Sequence, residues 1–219
     1  MPTSSFELFK IAFPRFLHFA FLNTMRKELA DCRSCLDIGC GADSPVRHLR
    51  FEYSVGVDAY EPLLQEARRK HTHHEIHRVD ARDIGRTFSP GEVDCCVALD
   101  LIEHLTKEDG LHLIADMERI ASKKILLFTP NGFLPQHQHE DDLQEHLSGW
   151  TSGEFERLGF RVLGMLGWKA LCGEYHQHRV KPKILSGVLS ALSHLCYTRH
   201  HPEHAAALVC IKAKKGEMR

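Results

Sequence analysis

The segment Cys35–Ala42, CLDIGCGA, sets the strongest limit on what this chain can fold into. An apolar run carrying an acid ends in two glycines one residue apart. Glycines so placed let the backbone turn sharply out of a strand and let a ligand approach the main chain, as happens at the C-terminal edge of a parallel sheet. Downstream, short apolar runs alternate with amphipathic stretches of helical length, the pattern of a parallel sheet covered on both faces. Strands are expected at Cys35–Ile38, Tyr53–Val57, Ile76–Val79, Val93–Leu99, Lys124–Thr129, Phe160–Leu166 and Ala206–Ala213. Helices are expected at Val46–Leu49, Glu61–Lys70, Lys107–Ala121 and Thr151–Leu158, the last opening on a Thr151/Glu154 capping box. The fold class is α/β, a doubly wound sheet.

A chain of 219 residues is long enough for one sizeable core and short for two. The reading is a single domain, 1–219, with a helical extension over 1–30 and a long excursion over 167–205 before the last strand. That excursion holds an apolar helix, Ile184–Leu195, and is expected to wall a substrate site with the N-terminal helix. Lys10, Pro14, Arg15 and His18 interrupt the Phe-rich stretch Phe6–Met25, which is therefore no membrane span. It reads as an amphipathic helix packed on the domain, with membrane-surface contact as the alternative. A net charge of -1 and a pI near 7.0 supply no broad positive field, so general nucleic-acid binding is not expected. The eight cysteines are scattered, several in apolar runs, which fits reduced thiols and a cytoplasmic location. The CxxC of Cys32 and Cys35 reads as the approach to a buried strand.

Asp58 ends the second strand about 20 residues after the glycine turn, the offset at which an acid meets ribose hydroxyls. Charge then selects among nucleosides. A pyrophosphate placed beside Asp37 would be repelled, and Ser44 stands where a third glycine would let a helix pack against a diphosphate. S-adenosylmethionine has no phosphate and carries an ammonium and a sulfonium, which a nearby acid favours. Asp80 and Ala81 follow the third strand, where an acid and a backbone N–H can meet adenine, and Leu99 ends the fourth beneath the nucleoside. An NAD-dependent oxidoreductase is disfavoured on the same grounds, whereas a non-catalytic nucleoside-binding module remains the rival reading.

With these pieces in place the chain resembles the class I S-adenosylmethionine-dependent methyltransferases, from about Cys35 to Trp168 and the last strand. CLDIGCG resembles the first family motif, GVDAYEP the second-strand acid, VDARD the adenine motif and ALDLIEHL the fourth strand. LLFTPNG, followed by His146 and the Trp150-Thr151 pair, is similar to a subgroup's fifth strand and its sequel. The resemblance implies a mostly parallel, Rossmann-like sheet of seven strands with an antiparallel last strand. It also implies cofactor contacts from Asp37, Gly39, Cys40, Gly41, Asp58, Ala59, Asp80, Ala81 and Leu99.

Methyl transfer needs alignment first and a base only for some acceptors. Glu103, His104 and His146 are the candidate catalytic residues, with Asn131, His137 and His139 as further polar groups in reach. By resemblance to small-RNA terminal 2′-O-methyltransferases and ubiquinone-pathway O-methyltransferases, Asp100, Glu103, His104 and His146 are candidate ligands of a divalent metal. The acceptor class expected is a small molecule or saccharide, or, with metal, a vicinal diol or catechol. His71, His73, His74 and His77 read as a solvated loop, and His176, His178, His200, His201 and His204 as groups that make the excursion pH-sensitive.

Overall fold

The computed structural model describes residues 15–133, 145–171 and 189–214. Its helices are α1 (Arg15–Glu28), α2 (Glu61–Lys70), α3 (Ile84–Thr87), α4 (Lys107–Ile120) and α5 (Ser152–Arg157). Its strands are β1 (Ser34–Ile38), β2 (Tyr53–Asp58), β3 (Glu75–Arg78), β4 (Val93–Leu99), β5 (Ala121–Pro130), β6 (Arg161–Trp168) and β7 (Ala205–Ala213). The strands form one sheet in the order β3-β2-β1-β4-β5-β7-β6. Strands β1 to β5 pair in parallel, and β7 runs against both of its neighbours, β5 and β6. The order reverses at β1/β4, the switch point where open α/β sheets bind ligands.

The period of two in the central strands divides the core. Leu36, Ile38, Cys96, Ala98, Ile125 and Leu127 share one cluster with Leu113, Ile114, Met117 and Ile120 of α4. The alternate residues, Cys35, Cys95, Val97, Leu126 and Phe128, pack with Leu17, Phe21 and Met25 of α1. Both faces of these strands are therefore dry, which explains their unbroken apolar runs. Cys32 and Cys35 are buried, and the neighbouring Cys95 thiol, then burial, holds the Cys32 thiol above its usual range, away from thiolate chemistry.

Helix α1 belongs to the fold. Its residues Leu17, Phe21 and Met25, four apart, form a stripe on the sheet, and the Phe21 and Phe128 rings lie 4.6 Å apart. Phe19 is exposed on the other side. Among the described residues no helix is long and apolar enough to cross a membrane.

Two local readings are corrected. The helix expected at Val46–Leu49 is a 3-10 turn, Pro45–His48, because Ser44 caps Val46 and four residues then lead into an extended Leu49. The histidine loop is not uniformly solvated: His73 is buried, and His74 accepts from the Ser54 backbone N–H at 3.0 Å. The capping box at α5 is present, with Thr151 accepting from the Glu154 N–H and Glu154 accepting from the Thr151 N–H. Of the helix expected at Ile184–Leu195, the described part is 189–193, continuing into a π-helical turn, His194–Thr198.

Truncating Phe21 leaves a cavity between α1 and the sheet, so Phe21→Ala is expected to cost about 3–5 kcal/mol of unfolding free energy. Urea denaturation of the full chain measures it. A loss under about 1 kcal/mol would mean that α1 is a surface attachment.

Candidate functional site

The turn after β1 is held in an unusual backbone region from three sides. Gly39 and Gly41 adopt φ of 72° and 56°, which L-residues rarely enter. The N–H groups of Gly39 and Cys40 both donate to the Val57 carbonyl, at 2.8 and 3.0 Å. The Gly41 N–H donates to the Asp58 carboxylate at 3.0 Å, and the Tyr60 N–H reaches its other oxygen at 2.9 Å. A Cβ at Gly39 would meet Leu101 Cδ1 at 2.9 Å, whereas one at Gly41 would meet nothing within 4 Å. Gly39 thus packs against the turn following β4, and Gly41 faces open space. Cys40 is buried, its N–H committed to Val57.

Asp37, 1% exposed, lies opposite Gly56 and Val97 in the sheet register. Ser44 Oγ donates to its Oδ2, so the residue that displaces the third glycine serves the acid directly. His73 Nε2 lies 3.0 Å from the same oxygen. Burial raises the Asp58 carboxyl above its usual range, against the two backbone N–H donors, and the charge of Asp37 adds to the rise. Two carboxylates that repel each other therefore line one glycine turn.

Asp80 is engaged within its own loop. It accepts from the Arg82 N–H at 2.9 Å and from its guanidinium at 2.9 and 2.6 Å, and this Arg82 contact lowers its carboxyl pKa. Ala81 is buried at the start of the turn Ala81–Asp83, and Leu99 is buried at the end of β4. The Ala59 carbonyl, just after β2, accepts from Arg78 Nε at 3.1 Å.

A second group of side chains sits beyond β4. The Leu147 and Ser148 N–H groups donate to the Glu103 carbonyl at 2.8 and 3.0 Å, which brings His146 against the Ile102–His104 turn. Trp150, stacked on Phe155 and donating to Ser148 Oγ at 3.0 Å, holds the segment from below. Candidate ligand atoms of Glu103, His104 and His146 fall within 4.8 Å of one another, and the two imidazoles meet edge to face at 4.8 Å. His104 Nδ1 lies 3.0 Å from the Glu145 carbonyl, which only accepts, so Nδ1 carries the proton. Burial lowers the pKa of this ring, so at neutral pH its Nε2 presents a lone pair. Glu103 is 3% exposed and accepts from Thr129 Oγ1 at 3.0 Å; burial pushes its carboxyl up to about 7.

The structure thus brings together three of the four proposed metal ligands. Asp100 stands outside the cluster: its backbone is left-handed at φ 50°, its N–H donates to the Phe128 carbonyl at 2.9 Å, and burial, then the charge of Glu103, raises its carboxyl. Asn131 is committed elsewhere, its amide donating to the carbonyls of Pro202 and Ala205 at 2.9 and 2.8 Å. His200, His201 and His204 are exposed, with Tyr197 stacked 4.3 Å from His201. His137, His139, His176 and His178 lie outside the described residues. Sequence reasoning missed His73 and Thr129 as partners of the site acids. Gly56 inside an apolar strand was the available signal for His73, since an interior strand glycine marks a close approach.

Residues 36–128 match the family model described as a methyltransferase domain. No curated protein matches the sequence. Among solved structures, the methyltransferase domain of bacterial CtHen1 is 16% identical, with a TM-score of 0.57, over 90% of this chain and 100% of that one. An S-adenosylmethionine-dependent methyltransferase from Archaeoglobus fulgidus is 18% identical, with a TM-score of 0.55, over 92% and 95%. One from Thermotoga maritima, described as a possible histamine N-methyltransferase, is 16% identical, with a TM-score of 0.58, over 92% and 91%. At such identities the likeness is one of fold, and the fold is Rossmann-like, of the class I methyltransferase kind.

The raised Glu103 carboxyl has a consequence for stability. Between pH 4.5 and about 7 the folded chain holds a proton that an unfolded glutamate has released. Stability therefore falls as pH rises through that window, by roughly 3 kcal/mol at most. Glu103→Gln, which never ionises, is expected to flatten that slope in metal-free unfolding curves recorded from pH 5 to 8, the raised carboxyl of Asp100 supplying what remains.

Proposed function

We propose that this protein transfers the methyl group of S-adenosylmethionine to an oxygen or nitrogen of a small-molecule or saccharide acceptor. One observation carries the reading: Asp37 and Asp58 flank the glycine turn at the sheet's switch point, and the Gly41 N–H already donates to Asp58. A diphosphate would meet two carboxylates and lose that N–H donor, whereas a cationic nucleoside meets complementary charge. In this reading Asp58 accepts from ribose hydroxyls, and the open space at Gly41 takes the nucleoside. When bound, the cofactor supplies an electrophilic methyl on a positively charged sulfur. The chain contributes alignment, and near the β4 turn it contributes Glu103 and the His104 lone pair as acceptors for a proton leaving a hydroxyl or ammonium.

The cluster of Glu103, His104 and His146 favours a second, narrower reading, a metal-assisted O-methyltransferase of the 2′-O- or catechol type. The donors fit a divalent ion: one carboxylate and two imidazoles within 4.8 Å, with the Nδ1–H of His104 tied to a carbonyl so that Nε2 points free of its proton. Such a nitrogen-rich set suits manganese, iron or zinc better than magnesium. The ion would polarise an acceptor hydroxyl and lower its pKa.

Calorimetric titration with S-adenosylhomocysteine is expected to show one site, and Asp58→Ala to weaken it ~10- to 100-fold by removing a charged acceptor for the ribose. No heat with folded wild-type protein refutes the reading, and binding without turnover across a broad acceptor panel leaves a nucleoside-binding module. Manganese or zinc titration is expected to show a site that the double variant His104→Ala/His146→Ala lacks while it still takes S-adenosylhomocysteine.

A further inference from the structure

His73 is the one histidine of its loop to reach the cofactor turn, and a set of separate features places it there. Helix α2 ends on a left-handed His71, φ 50°, whose N–H returns to the carbonyls of Ala67 and Arg68. That cap turns the chain inward, so that Thr72 and His73 are buried while His71 and His74 stay exposed. The His73 side chain is 0% exposed. Thr72 Oγ1 lies 3.0 Å from its Nδ1, and Nε2 lies 3.0 Å from Asp37 Oδ2. Gly56, the register partner of Asp37 in β2, makes the space: a Cβ there would stand 2.6 Å from His73 Nδ1.

The hydrogen-bond arithmetic is restrictive. With Asp37 as the acceptor of this contact, the proton between the ring and the carboxyl is carried on Nε2. Oδ2 then receives two donors, Ser44 Oγ–H and His73 Nε2–H, and among the described residues no donor reaches Oδ1. Two donors on one oxygen fix the rotation of the carboxylate and leave the other oxygen as its free acceptor. Asp37 is 1% exposed and lies two residues before Gly39, and the only charged hydrogen-bond donor that the proposed cofactor brings to this turn is the ammonium of its amino-acid half.

We propose that His73 is a positioning residue for the cofactor: by donating Nε2–H to Asp37 it presents that carboxylate to the ammonium of the amino-acid half, and so sets selectivity for cofactor over plain nucleosides. The proposal deepens the S-adenosylmethionine reading and rests on it.

The test compares two ligands on the full chain by calorimetry. S-adenosylhomocysteine carries the ammonium; 5′-methylthioadenosine has the same adenosine thioether and lacks the amino-acid half. His73→Phe keeps the ring volume and removes the donor, and His73→Gln restores an N–H donor at the same chain position. The expected result is a loss of about tenfold or more for S-adenosylhomocysteine in His73→Phe, less than threefold for 5′-methylthioadenosine, and recovery of most of the loss in His73→Gln. Equal losses for both ligands, or none for S-adenosylhomocysteine, overturn the positioning role while the wild type still binds. A folded wild type that binds neither ligand overturns the cofactor reading and the proposal with it. Thr72→Val, which removes only the hydroxyl behind the ring, gives the same comparison if His73→Phe does not fold: a few-fold loss confined to S-adenosylhomocysteine supports the role, and no selective loss overturns it.

Discussion

Everything at this site depends on a backbone turn in a region that L-residues rarely enter and that its surroundings must hold in place. The Val57 carbonyl receives two successive N–H groups from it, Asp58 receives a third, and Leu101 closes over Gly39. Strand pairing supplies the first contact, the strand-end acid the second, and the chain after β4 the third. The turn therefore couples β1, β2 and β4, and the proposed ligand site exists only when all three strands are in register.

That coupling also arranges the two clusters of polar groups. Leu101 rests on Gly39, and the next three residues form the turn bearing Glu103 and His104, so these two residues stand beside the glycine turn by direct packing. His146 arrives from more than forty residues later because the Glu103 carbonyl collects the N–H groups of Leu147 and Ser148. Burial then works in opposite senses on the two kinds of group. It favours the protonated carboxyl of Glu103 and the neutral ring of His104.

Local chemistry written in consecutive residues was legible. The central strands emerged from apolar runs because both of their faces are covered, whereas β3, EIHR, is an exposed edge strand; the Thr151/Glu154 cap was readable from its spacing alone. Asp58 could be placed because the offset from the glycine turn is a property of one βαβ unit. What escaped were contacts between segments. Ser44 looked like a missing glycine and is a donor to Asp37; His73 sat among four loop histidines that nothing local distinguishes, until Gly56 and the left-handed cap at His71 single it out. Asp80, readable as an adenine contact, also has a local partner two residues on, and arginine chemistry of that kind depends on rotamers that no spacing rule encodes.

Asn131 links the end of β5 to both limits of the excursion before the last strand. Its carbonyl takes Lys169 and its amide holds Pro202 and Ala205, so the outgoing and returning chain share a single hub. With both feet planted on one residue, the intervening stretch can lengthen at a closure cost of only about 0.6 kcal/mol per doubling. Changes in the length of that connection can thus leave the pairing of β5, β6 and β7 as it is.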